Sequence, residues 1–358
     1  MKAFVVSTAT TLCCVLSTPA AAIKPEWYGT LEIALAHTTE GYAVNPSTND
    51  SGQEQITDPE NGTYLENNWS YFGAKGREQL NKDIAIIYQL EVAVQDATID
   101  GVADPISSRN TYLGFDTTWG TFYFGREYSA FYQVIDNSNI DIFDNTNAWL
   151  AQLMPGEDRH SSIVSYYSPT LLDWFTVSGT MLMEDEDQSS DYPFAVAASV
   201  GDPDLTKRPF YFTAAYNKDI ESFRGYRVAG QVAVGPAWIG AMWQRSKDQT
   251  YNNLQGNSYY VNARYNLMQL GAKTINLKVM YGQDRAGLGD YFQSVVTPTD
   301  ELSSVRVRQI TLGADYHASE SAIFYAYWVN YEGNYRDDNT KISLATENVY
   351  TLGLRYYF

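Results

Sequence analysis

The stretch VYTLGLRYYF, Val349–Phe358, separates into two rows when it is read alternately. Tyr350, Leu352, Leu354, Tyr356 and Phe358 form an apolar row. Val349, Thr351, Gly353, Arg355 and Tyr357 form a smaller, more polar row that carries the only charge. Strict period 2 marks a strand whose two faces meet different environments. The same signature recurs in GTLEIALAH, DIAIIYQLEVAV, WGTFYFGR, SSIVSYYS, FYFTAAYN, YRVAGQVAV, TINLKVMYG, QITLGADYH and IFYAYWVNY. Segments of about 8–12 alternating residues are the length of strands that cross a bilayer at a tilt. No segment longer than a turn or two has a helical period.

Composition narrows which environment lies against the apolar rows. Met1–Ala22 has a basic start at Lys2, a short apolar stretch and a small-residue end, Ala20-Ala21-Ala22, the pattern of a cleaved signal peptide. Residues 23–358 are then one exported domain of roughly 336 residues. Both cysteines, Cys13 and Cys14, fall in the signal, so disulfides do not stabilise the fold. Past residue 22 there are 23 basic and 42 acidic side chains, a net charge of −19, which argues against nucleic acid as a partner and favours cations near an aqueous cavity. No apolar run is long enough for a transmembrane helix. Mean hydropathy is below zero, yet there are 29 tyrosines.

The connections alternate in length. Short turns are expected at Lys75–Asp83, Thr117–Gly120, Ser168–Asp173, Gly235–Pro236 and His317–Ala322. Long polar connections are expected at Thr38–Asn68, Gln95–Pro105, Tyr128–Asp158, Glu184–Tyr192, Asp284–Ser304 and Asn334–Ala345. One end thus carries tight turns and the other long loops, as in outer-membrane barrels. The pattern predicts an all-β fold, a 16-stranded antiparallel transmembrane β-barrel, with Pro193–Val200 as the eighth strand. The predicted lipid rows exclude charge, because Arg or Lys at mid-bilayer costs about 2–4 kcal/mol. They are Tyr350–Phe358 at alternate positions; Ile323, Tyr325, Tyr327, Val329 and Tyr331; Ile310, Leu312, Ala314 and Tyr316; and the row of Ile275–Tyr281 that faces away from Lys278.

In this light the chain resembles the Gram-negative general porin family over nearly all of residues 23–358. SYFGAKGREQL is similar to that family's second strand and turn. RNTYLGFDTTWGTFYFGREYSAFY is similar to its fourth and fifth strands leading into the constriction loop. SSIVSYYSP resembles its sixth strand, LGADYHASESAIFY a late strand–turn–strand motif, and TLGLRYYF the closing strand. Tyr71 stands where many members carry arginine, and Ser319-Glu320-Ser321-Ala322 where a basic pair is common. The resemblance implies a homotrimer with a third extracellular loop, about 128–158, folded into the lumen. It also implies that Phe358 is the signal read by the outer-membrane assembly machinery.

A folded-in loop narrows a channel to an eyelet whose facing charges set the field on a passing solute. The loop offers Asp136, Asp141 and Asp144. By resemblance Arg109 and Arg126 occupy wall positions opposite, with Arg159 at the start of the sixth strand as a third. Either set also admits a plain reading, as solvated loop acids and structural ion pairs; alternation places Arg109 and Arg126 in the lumen in any case. Tyr132, Phe143 and Trp149 in the loop, with Trp243 and Trp328 on strands, are candidates for stacking on sugar rings. MEDEDQSSD, Met183–Asp191, lacks the glycine and terminal glutamate of a calcium loop. With three scattered histidines, no metal or cofactor is expected.

The reading that follows is an outer-membrane porin for passive diffusion of small hydrophilic solutes and ions, leaning to cations, with lipid and lipopolysaccharide as surroundings. A sugar- or oligosaccharide-specific channel of the same fold is the alternative. A barrel hydrolase would need a serine and a histidine that meet, and no such pair stands out.

Overall fold

The computed structural model describes residues 24–43, 61–94, 105–183, 192–270 and 273–358. The signal-peptide segment and most of Met183–Asp191 lie outside the described residues. Eighteen strands form one sheet. They are β1 Glu26–Thr38, β2 Gly62–Asn67, β3 Tyr71–Gln79, β4 Ile84–Val94, β5 Ile106–Thr117, β6 Gly120–Tyr128, β7 Arg159–Tyr167, β8 Phe175–Leu182 and β9 Phe194–Gly201. Then follow β10 Phe210–Lys218, β11 Phe223–Val234, β12 Ala237–Asp248, β13 Gln255–Leu270, β14 Lys273–Asp284, β15 Leu302–His317, β16 Ala322–Asp337, β17 Thr340–Ser343 and β18 Glu347–Tyr357.

Together they make sixteen staves. β2 and β3 pair with the upper and lower halves of β1 and make one stave, broken at Asn68–Ser70 where Trp69 takes a φ of 63°. β17 is a short hairpin partner on β16, above β18. Every pairing is antiparallel, and β1 closes on β18 from Thr30↔Tyr357 to Thr38↔Val349. Closure leaves no edge, the condition for a sheet to lie in lipid. Phe358 extends the seam by exchanging backbone bonds with Gly29 at 3.0 and 3.1 Å.

The eighth stave is β9, one residue displaced from the expected Pro193–Val200. The expected long connection Thr38–Asn68 proves to contain β2, and the expected turn Lys75–Asp83 shrinks to residues 80–83 because β3 runs on to Gln79.

Exposure separates the two faces. On β18, Tyr350, Leu352, Leu354 and Tyr356 are exposed while Val349 and Thr351 are buried, so the apolar row is the outward one. β14 presents Leu277, Val279 and Tyr281 outward, and β15 presents Leu312 and Tyr316. β16 reverses the expectation. Its outward row contains Phe324, whereas Tyr325, Tyr327, Val329 and Tyr331 are buried on the inner side. Both rows of β16 lack charge over this stretch, so exclusion of charge could not choose between them; the inner tyrosines are covered by another part of the chain. Outward rings mark both ends of the apolar band, with Tyr316 and Phe324 stacked at the short-turn end and Tyr281 towards the long-loop end, where amphipathic rings sit best.

Candidate functional site

The covering element is the segment between β6 and β7. It opens with helix α1, Ala130–Asp136, and includes a single 3₁₀ turn at Leu150–Gln152. Ser129 starts α1 in extended geometry, and its carbonyl accepts the amides of Tyr132 and Gln133. Phe131, Tyr132, Val134 and Ile135 are the buried face of α1, and the Tyr211 hydroxyl donates to the carbonyl of Val134 at 3.0 Å.

From there the segment is bonded to one inner row after another. Asn262 on β13 donates to the carbonyl of Ile140 at 2.5 Å, and Lys278 on β14 to that of Ile142 at 2.7 Å. Gln309 on β15 donates to the carbonyl of Ala148 at 2.8 Å. Asn147 donates its side-chain amide to Glu66 on β2 and its backbone amide to the Tyr327 hydroxyl, while its carbonyl accepts Tyr331 at 2.6 Å. Two glycines allow the close approach: a Cβ on Gly282 would lie 2.1 Å from Leu153 Cδ1, and one on Gly313 would lie 2.9 Å from the Phe143 ring. The inner face from β8 round to β2 therefore has a core of its own, built of tyrosines, small residues and the segment's apolar side chains.

Arg227 fastens the two ends of the segment together. It is fully buried on β11. Its guanidinium donates to the carbonyls of Phe131 and Pro155, to Gln244, and to Glu157 at 2.5 Å, and it lies over the Phe131 ring at 4.1 Å. Burial pushes the Glu157 carboxyl well up, and Arg227 pulls it back. Beside it Glu221 accepts the amides of Gly156 and Asp158 and pairs with His160 at 3.1 Å.

The sequence-predicted residues divide accordingly. Enclosure pushes Asp136 up to about 7, with the like charge of Asp144 adding to the rise, while Arg159 and Arg109 pull it down. Asp144 is likewise raised by enclosure and lowered by Arg355, Arg159 and Arg109. These two aspartates and these two arginines thus act on one another. Asp141 does something else: it accepts the amides of Phe143 and Leu150 and the hydroxyl of Tyr260, fixing the bend of the segment. Burial and Asp144 push it up to about 7.

Arg109 is 4 % exposed. It pairs with Glu91 at 2.7 Å and lies over the Tyr71 ring at 4.5 Å, so the tyrosine at the family's arginine position becomes a seat for the next arginine. Arg159 donates to Asn110 and lies over Tyr128 at 4.0 Å. Arg126 departs from expectation. It pairs across from Thr111 in the row of Leu113 and Phe124, which are exposed outward residues. Its guanidinium bonds the Ser108 carbonyl and the Ser161 hydroxyl. Arg126 thus keeps the alternation of β6, whereas a bulge at Leu90/Val92 turns Arg109 inward, out of the row of Thr111 and Leu113. Counting alternate residues across a bulge misplaces the side chain.

Of the stacking candidates, Tyr132 and Phe143 are each 1 % exposed, packed on Tyr128 and Tyr327, and offer no face to a solute. Trp149 keeps partial exposure and lies 5.6 Å from Trp69. Trp243 pairs with Val228 and Tyr259, and Trp328 with Leu312 and Tyr350, all exposed outward residues, so neither tryptophan lines the lumen. Instead, inward tyrosines line the arc from β5 to β7, with Tyr112 4.6 Å from Tyr123 and Tyr123 5.4 Å from Tyr167. Their alternation with outward Leu113 and Phe124 was the available signal.

A closed barrel with charged inner rows and outer rows that are charge-free through the apolar band defines a transmembrane channel protein. A family model of Gram-negative porins matches residues 9–336. The chain belongs to that family. Among solved structures it is similar to the anion-selective porin from Comamonas acidovorans, with a TM-score of 0.67 at 15% identity, covering 94% of this chain and 100% of that one. It is also similar to OmpT of Vibrio cholerae in its trimer form, with a TM-score of 0.62 at 17% identity and coverage of 94% and 100%. Salmonella typhi OmpF in complex with daunomycin gives 0.63 at 13% identity, covering 94% and 98%. Such identities speak for the fold alone. No match is found among curated proteins. The protein is an outer-membrane channel for passive diffusion.

Proposed function

We propose that the segment between β6 and β7 is the constriction loop of a trimeric, non-enzymatic porin that prefers cations among small hydrophilic solutes. The observation that carries this reading is the balance of charge where loop and wall meet. Asp136, Asp144, Glu91, Glu127 and Glu32 supply five carboxylates, against Arg109, Arg159 and Arg355, so the local balance is −2 when all are ionised. In a narrow, low-dielectric passage such a surplus raises the local cation concentration. Residues 1–22 act as the signal, Phe358 as the assembly mark, and lipid with lipopolysaccharide surrounds the barrel. The test is the reversal potential of the protein in planar bilayers across a salt gradient. Wild type should be cation-selective, and Asp136→Asn/Asp144→Asn, which brings the balance to zero, should move it towards no preference. Anion selectivity in the wild type would sink the reading.

The tyrosine arc also favours the sugar-channel alternative, since sugar faces stack on rings. Block of single-channel current by a sugar at micromolar concentration would decide for it.

A further inference from the structure

On the wall between β1 and β7, tyrosines hold the chain's own cations. Lys75 lies 5.2 Å over Tyr28, Arg109 4.5 Å over Tyr71 and Arg159 4.0 Å over Tyr128. Each pair sets a positive charge on the electron-rich face of a ring. Tyr112, Tyr123 and Tyr167 belong to the inner rows of the same wall, and each keeps part of its surface exposed. Among the described residues no lysine or arginine lies over any of these three. Their planes turn by 74° from Tyr112 to Tyr123 and by 72° from Tyr123 to Tyr167, so the arc turns faces in more than one direction. The Tyr167 hydroxyl is buried while the residue is partly exposed, so its ring rather than its oxygen meets the passage.

A carboxylate stands beside the rings. Glu127 continues the inner row of Tyr123 towards the loop and acts electrostatically on all three tyrosines. It is 5 % exposed, accepts the amide of Tyr128 at 2.8 Å, and has no ion pair among the described residues. Asp136 acts on it with like charge, and Arg159 acts on it from its own seat over Tyr128. The other polar neighbours are engaged. Asp116 accepts Arg77 and Thr121, and Gln89 accepts Tyr112 at 2.9 Å and donates to Glu91 at 3.4 Å. A sugar needs donors and acceptors round its hydroxyls, whereas this arc offers ring faces beside negative charge. A primary ammonium brings three N–H donors that each need an acceptor. A methylated ammonium brings none, and its C–H groups carry the positive charge onto an aromatic face.

We propose that Tyr112, Tyr123 and Tyr167, with Glu127, form a site for methylated ammonium groups on the channel wall, so that solutes of the choline kind are held there ahead of other cations. The proposal rests on the channel reading above and names a solute class for it.

The test is single-channel recording of the full-length protein in planar bilayers, with the potassium current titrated by choline, by ethanolamine and by the uncharged carbon isostere of choline. In the wild type, choline should halve the current at about tenfold lower concentration than ethanolamine, and the isostere should leave it unchanged. Tyr123→Leu, which removes the central ring, should weaken the choline effect about fivefold, and Tyr123→Phe, which keeps the face, should match wild type. Glu127→Gln keeps an acceptor for the Tyr128 amide and should weaken choline about threefold. If Tyr123→Leu does not assemble, Glu127→Gln carries the test with the three solutes. Equal potency of choline and ethanolamine, or of choline and its isostere, would overturn the proposal, as would undiminished choline block in Tyr123→Leu or in Glu127→Gln. A Tyr123→Phe variant as weak as Tyr123→Leu would overturn it by making the hydroxyl the contact. Choline block in a channel that proves anion-selective sustains this proposal and sinks the selectivity reading; cation selectivity without choline block does the reverse.

Discussion

Replacing Arg227 by methionine should loosen both ends of the loop at once. The substitution keeps much of the side chain's length and removes its donors to Phe131, Pro155, Gln244 and Glu157. Glu157 then remains buried without its cation, and breaking a buried pair from one side costs about 3–5 kcal/mol. Adding Glu157→Gln removes the orphan charge, so Arg227→Met/Glu157→Gln should recover about 2 kcal/mol of that loss. The pH dependence has a definite sign. In the single variant Glu157 has lost the partner that lowered its pKa, so its cost is full at high pH, where the carboxylate is ionised, and shrinks as acid protonates it. Urea unfolding from detergent micelles at pH 8 and pH 5 measures both quantities, and single-channel recording should show a larger, noisier conductance as the loop ends come free. Equal unfolding midpoints for wild type and Arg227→Met, or a single variant no less stable than the double, would refute the clamp.

Two further outcomes follow from the loop's surroundings. Asp136 is held near pKa 7, so the proposed cation preference should fall as pH drops from 8 to 6, because protonation removes negative charge from the passage; a reversal potential flat over that range and moving only below pH 5 would contradict the assignment. Gly282→Val should destabilise the barrel by about 1–3 kcal/mol and displace the loop, since its Cβ meets Leu153 at 2.1 Å; an unchanged unfolding midpoint and conductance would show that the contact is not tight.

Period 2 was enough to place the outward rows of Ile275–Tyr281, Ile310–Tyr316 and Tyr350–Phe358, because in each of these stretches one row is charge-free and the other is not. The same rule failed on β16, where the tyrosines that hold the loop are as apolar as the residues that face lipid. The reason is physical: a strand between lipid and a protein core meets two dry surfaces, and its sequence loses the contrast that alternation needs. Neither arginine follows the expected count: Arg126 continues the outward row of Phe124 without interruption, and Arg109 points inward only because a bulge breaks the row of Leu113. The roles of the three loop aspartates could not be read from their spacing. Asp141 differs from Asp136 in the two amides that the bend brings to it and in the hydroxyl of Tyr260.

The unequal lining of the barrel bears on how such a channel changes over generations. From β8 round to β2 the inner residues are committed to packing against the loop, so a substitution there puts assembly at risk before it alters traffic. Gln89, Tyr112 and Tyr123 on the facing arc are only partly buried. A lineage can exchange these side chains, and with them the solutes admitted, while the fold carries almost none of the consequence.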